Sequence, residues 1–141
     1  MKKIIALLLC CTCIALSGCS VEVGDMESEY LTSSFDGVWR QIDCDPNEYL
    51  EATVSGDYIE IRVVSKTENI TGVYWYGTIP TFSEPVKDLQ WMSSSDLSKI
   101  DYSFLTVTDN KKHFMYKDGY LWFPYYMSDF SLIMRLERVE E

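Results

Sequence analysis

From Phe35 to the end of the chain, apolar residues recur at every second position in short runs, and the runs are parted by Gly, Asp, Asn and Ser. A period of two sends apolar side chains to one face of a strand and polar ones to the other, so such a chain is stable only as a sheet with a buried face. The clearest instance joins Tyr49–Val54 to Tyr58–Val64 through Ser55-Gly56-Asp57, where Leu50, Ala52 and Val54 share an apolar face with Ile59, Ile61 and Val63. Trp39–Ile42, Thr71–Thr78 and Leu89–Met92 read as further strands, with Asp43 to Asn47 and Ile79 to Pro85 as loops. The last third reads as a meander of Ser103–Thr108, His113–Tyr116, Tyr120–Tyr126 and Phe130–Val139, turning at Asp109-Asn110, Asp118-Gly119 and Met127-Ser128-Asp129. Asp-Gly between alternating runs is the strongest hairpin cue among them. No long helical period or internal repeat interrupts the pattern, although Ser93-Ser94-Ser95-Asp96 leaves room for one helical turn. Eight or nine short antiparallel strands joined by sequential hairpins predict an all-β, up-and-down barrel over residues 35–141.

The first 34 residues belong to a different regime. Lys2 and Lys3 precede an apolar run of 13 residues, Ile4 to Leu16, which is the layout of a secretory leader. Spanning a bilayer takes about 20 apolar residues, so the run is too short to cross. Leu16-Ser17-Gly18-Cys19 resembles the lipobox of bacterial lipoproteins. That resemblance implies cleavage after residue 18, a lipid on Cys19 and an exported protein held to the cell membrane by its acyl chains. Residues 19–34 carry Glu22, Asp25, Glu27 and Glu29 among Ser, Thr and Gly and read as an acidic flexible linker whose like charges keep it extended.

Charge and cysteine usage narrow the partners. The chain carries a formal charge of −10, which becomes about −12 once Lys2 and Lys3 leave with the leader. A surface this acidic is repelled by phosphate backbones, so nucleic acid is not expected as a partner. Cys10, Cys11 and Cys13 lie in the leader and Cys19 takes the lipid, which leaves Cys44 alone and unable to form an internal disulfide. With His113 the only histidine, zinc and haem sites lose their usual ligands. Asp43, Asp45 and Asn47 alternate like the start of a calcium loop, but the sixth and twelfth positions hold Glu48 and Val54 where glycine and glutamate are needed. No metal and no cofactor is expected.

The start of the barrel carries a second resemblance. Phe35-Asp36-Gly37-Val38-Trp39 is similar to the Gly-x-Trp opening of lipocalins and lipocalin-like bacterial lipoproteins, and the likeness extends over about residues 35–139. It implies that Gly37 turns the chain into the first strand and that Trp39 plugs one end beneath an arginine of the last strand, either Arg135 or Arg138. The chain is shorter than full-length lipocalins, lacks their disulfides and shows no clear helix beside the barrel.

Neither a Gly-x-Ser-x-Gly elbow, a His-Glu-x-x-His pair nor a phosphate loop is present, so the chain is not expected to be an enzyme. Aromatic residues are what it has in excess, with 20 in total, all beyond the leader. Tyr74, Tyr76, Trp91, Trp122 and Tyr125 are the candidate ligand-binding rings, because flat rings bury much area for little rotamer entropy. The inward faces carry Leu50, Val54, Ile59, Ile61, Val63, Leu105, Val107, Leu121, Phe123, Leu132, Met134 and Leu136, and only Ala52 is small. A barrel this narrow should be filled along its axis, leaving any pocket shallow, at the open end or on the outer face. Two functions follow: binding of a small apolar or aromatic ligand at the barrel mouth, or docking of an envelope protein or glycan through an aromatic outer face. Without a deep axial cavity, docking takes first place.

Overall fold

The computed structural model describes residue 31 and residues 34–105, 109–127 and 129–140. The leader, Cys19 and nearly all of the acidic linker lie outside the described residues, as does Val107. Eight strands form one antiparallel sheet: β1 (Gly37–Gln41), β2 (Glu48–Ser55), β3 (Tyr58–Ser65), β4 (Ile70–Thr78), β5 (Leu89–Ser94), β6 (Lys111–Lys117), β7 (Tyr120–Met127) and β8 (Phe130–Arg138). Their order, β4-β3-β2-β1-β8-β7-β6-β5, is that of an up-and-down barrel in which β1 joins β8 and the remaining seam lies between β4 and β5. That seam is bridged at Gly77 and Ser95, with Asp96 N donating to Tyr76 O at 2.9 Å. Gly77 permits the approach, since a Cβ there would meet Ser93 Oγ at 2.5 Å and Ser94 O at 2.9 Å. The result is a nearly closed eight-stranded barrel, compatible with a lipocalin-like fold.

The turns carry the residues their geometry requires. Asp118 and Gly119 both take positive φ, 54° and 85°, the pair of left-handed positions that a two-residue hairpin between β6 and β7 demands. Gly56, at φ 60°, turns β2 into β3 with full register from Glu48↔Ser65 to Ser55↔Tyr58.

The first half of one expected strand, Ser103–Leu105, is not a strand, and its second half, residues 106–108, lies outside the described residues. Residues 102–105 form a single helical turn, α1 (Tyr102–Leu105), preceded by a tight turn over Leu97–Lys99 that is capped by the Asp96 carboxylate. The segment is drawn across β4 instead: Asp101 N donates to Val73 O at 2.9 Å, Val73 N donates to the Asp101 carboxylate, and Phe104 packs edge-on against Tyr74. Side-chain and backbone partners on β4 thus replace the ladder that alternation at Ser103–Leu105 had implied, and eight strands are formed among the described residues.

The axis is filled. Leu50, Ala52, Val54, Ile59, Ile61, Trp75, Phe114, Leu121, Phe123 and Leu136 are buried in one continuous cluster. Between Ile61 and Arg62 the β3–β4 register slips by one residue. The extra residue of this bulge is Tyr74, so that Tyr74 and Trp75 both turn inward despite being neighbours. Two inward assignments need correction. Leu132 is 48% exposed, because β8 has no β1 partner before Leu136, and Leu105 is half-buried in α1.

Candidate functional site

The two ends of the barrel differ. One is sealed by Phe35, Trp39, Phe82, Trp91 and Tyr116, whose rings meet at centroid distances of 5.3 to 6.3 Å. Leu31 pairs with Val86 across this end. Trp39 is buried there, its Nε1 donates to Phe35 O at 2.8 Å, and the Arg138 guanidinium lies 4.9 Å from its ring centre. Burial lowers the Arg138 pKa, and its Nη2 donates to Ser34 O. Gly37 takes φ 122°, a conformation closed to most side chains. Arg135 is elsewhere: it bridges Asp43 at 2.5 Å and lies 4.9 Å from Tyr120 and 5.3 Å from Trp122 on the outer wall. Of the two arginines, only Arg138 stands over Trp39.

The opposite end is open. A cleft of about 280 Å³ there is walled by Leu50, Val63, Tyr125 and Met134 from inside the barrel and by Tyr49 and Gln41 at its rim. Val63, Ser65 and Glu68 are shared with a neighbouring cleft of about 390 Å³ that runs beneath α1 along Thr71, Gly72 and Phe104.

Below the mouth lies a polar arrangement that the sequence reading missed. Lys112, inward-facing on β6, is buried. Its ammonium donates to Tyr74 Oη at 2.8 Å and Pro124 O at 2.9 Å, and lies 4.9 to 5.1 Å from the ring centres of Tyr74, Trp75 and Tyr126. Tyr126 N in turn donates to Tyr74 Oη at 3.3 Å. These bonds stand where a ladder ends. β6 pairs with β7 only at Met115↔Trp122, Tyr116↔Leu121 and Lys117↔Tyr120, so the β7 backbone beyond Trp122 faces no strand on that side among the described residues. Lys112 and Tyr74 supply the missing donor and acceptor, as buried backbone groups require. Desolvation lowers the Lys112 pKa to about 8 and raises that of Tyr74 to about 12. The alternation of Lys112 with Phe114 and Tyr116 was the available signal, but a lysine beside Lys111 and His113 reads as surface.

The candidate rings do not form one site. Tyr74 and Tyr125 meet inside the barrel at 4.5 Å, and Trp91 stacks on Phe114 at 5.4 Å nearer the sealed end. Tyr76 and Trp122 point outward from β4 and β7, Tyr76 stacked on Tyr58 and Trp122 against Tyr120 and Arg135. Only Tyr125 of the five walls the mouth cleft.

Cys44 donates through Sγ to Gln41 O at 3.3 Å, and burial together with Asp45 and Asp43 raises its pKa. Asp45 accepts from Asn47 N, so the acidic loop is an Asx turn beside the Arg135 ion pair. Among the described residues, no group of three or more His, Cys, Asp or Glu is placed to hold a metal ion. Comparison with protein-family models, curated proteins and solved structures yields no match for this chain.

Proposed function

We propose that the protein is an exported, lipid-anchored, non-enzymatic binding module that takes a small apolar or aromatic ligand at the open mouth of its barrel. The mouth cleft carries this reading: Leu50, Val63, Tyr125 and Met134 offer apolar walls at the one end that aromatic rings do not seal. Its volume, about 280 Å³, lies at the lower edge of small-molecule sites, so the ligand is compact and lodges above a filled axis. Long-chain carriage down the axis is disfavoured by the same packing. The acidic surface gives the membrane no electrostatic hold, which leaves attachment to the lipid implied at Cys19.

Docking through an aromatic outer wall, which a filled axis was expected to put first, is the second reading. It is weaker for Tyr76 and Trp122, which occupy different strands and are each covered by their own neighbours.

A neutral fluorescent probe, N-phenyl-1-naphthylamine, tests the mouth. Its emission should rise in the presence of the protein, and Met134→Arg should abolish the rise while Tyr76→Ala leaves it intact. Probe binding that survives Met134→Arg and is lost in Tyr76→Ala sinks the mouth reading. For the anchor, metabolic labelling with a fatty-acid analogue should mark the wild type and not Cys19→Ser.

A further inference from the structure

The last part of the β7–β8 hairpin stands apart from the rest of the sheet. β6 leaves β7 after Trp122, and β1 leaves β8 at Leu136, with one further bond from Ile42 N to Arg135 O at 3.2 Å. Among the described residues, the five pairs from Phe123↔Met134 to Met127↔Phe130 therefore have no other strand beside them. The first of these pairs still pack inward through Phe123, Tyr125 and Met134, so the free tip is formed by Tyr126, Met127 and Phe130 to Ile133. A free hairpin tip is ordinarily polar, because both its faces meet water. This one exposes Tyr126, Met127, Phe130, Leu132 and Ile133, the last of them 67% exposed.

We propose that this tip inserts into the surface of a lipid bilayer. The side chains that set the choice of partner are distributed over both faces of the ribbon: Leu132 belongs to the inward series of β8, whereas Ile133 points outward. A flat protein surface would cover one face and leave the other wet, whereas a fluid apolar layer takes up both. Tyr126 and, across the mouth, Tyr102 supply rings suited to the headgroup level. Asp129 in the turn is exposed and keeps the insertion shallow, at the boundary between headgroups and acyl chains.

The chain outside the described residues can bring the tip to a membrane. Leu31 sits at the sealed end, 12 residues after Cys19. Twelve residues reach at most about 40 Å, whereas nine-residue strands tilted as in an eight-stranded barrel stand about 25 Å tall. A tether fixed to the bilayer at Cys19 thus has the length to pass the barrel wall and enter it from the far end, mouth towards the lipid. In this respect the inference rests on the anchor reading, and it adds to the proposed function by placing the mouth where apolar molecules are concentrated.

The experiment uses the lipidated protein on vesicles of phosphatidylcholine whose acyl chains carry bromine, which quenches nearby tryptophan. Phe130→Trp places a reporter on the tip and Tyr58→Trp a control at the β2–β3 turn of the sealed end. Insertion predicts that the emission added by Phe130→Trp shifts to shorter wavelength and is lost on brominated vesicles, while that added by Tyr58→Trp is unchanged. A further Ile133→Asp in the Phe130→Trp protein should restore the emission, with an unchanged melting temperature showing that the fold is intact. Protein that floats with the vesicles but shows no quenching at residue 130 overturns the insertion and marks the hairpin as a surface for a protein or a second copy. Quenching at residue 58 alone overturns it too, since the barrel then stands the other way up. Quenching at residue 130 without acyl label on Cys19 upholds insertion and refutes the anchor.

Discussion

The sealed and open ends of this barrel are made from the same ingredients, Tyr, Trp and Phe on alternating strands, with opposite outcomes. At the sealed end, Phe35, Trp39, Phe82, Trp91 and Tyr116 come from strands whose ladders continue to their tips and from the segment that Leu31 and Val86 tie down, so each ring finds others around it. At the open end two ladders stop early. Tyr125, Tyr126, Phe130 and Leu132 then have neighbours on one side only, and the backbone freed by the parting of β6 and β7 is held by Lys112 and Tyr74. Aromatic content therefore does not decide whether an end becomes core or stays open; ladder length does.

If the sealed end is core, its loss should be the most damaging change in the molecule. Trp39→Ala removes the ring that Arg138 and Tyr116 pack against and the donor to Phe35 O, and should cost about 3 to 5 kcal/mol in denaturant unfolding. A change within error would mean that the two ends do not differ as described.

Lys112 sharpens the comparison through pH. Its folded pKa of about 8 lies below the ordinary value of about 10.4, so the unfolded chain binds more protons between those two pH values and stability rises with pH across that window. Tyr74, at about 12, acts in the opposite sense: the folded chain keeps its proton from about pH 10 to 12 while the unfolded chain loses it, and stability falls. The pair contributes a maximum near pH 10 in the unfolding free energy. Lys112→Met should remove the rising limb. Tyr74→Phe should remove the falling limb. Chemical denaturation at a series of pH values measures both.

The smallest effect belongs to the open tip. Ile133→Asp places a charge on a side chain that is already 67% exposed and should change stability by less than about 0.5 kcal/mol. A large loss would show that the hairpin packs against something in the isolated protein.

The strand pattern was legible because it is local. Leu50, Ala52 and Val54, or Leu121 and Phe123, declare their face by alternation alone, and Gly56 and Asp118-Gly119 declare the turns. The shallow cleft at the open end, with Tyr125 in its wall, follows from filling a narrow barrel with large side chains. Three things were not legible. The bulge that turns Tyr74 and Trp75 inward together depends on register with β3, the helical turn at Tyr102–Leu105 depends on Asp101 and Phe104 finding β4, and the burial of Lys112 depends on where β6 leaves β7.

By itself, the sequence determined that this chain makes a meandering antiparallel sheet with a filled interior, because the period of the side chains and the backbone demands of the turns act within a few residues. A plug at the Trp39 end was implied by Gly37-Val38-Trp39, and only the tertiary structure decided that the other end stays open. That choice rests on how far each ladder runs, and ladder length is set by pairing between segments as far apart as Trp39 and Arg138, about which no local stretch carries information.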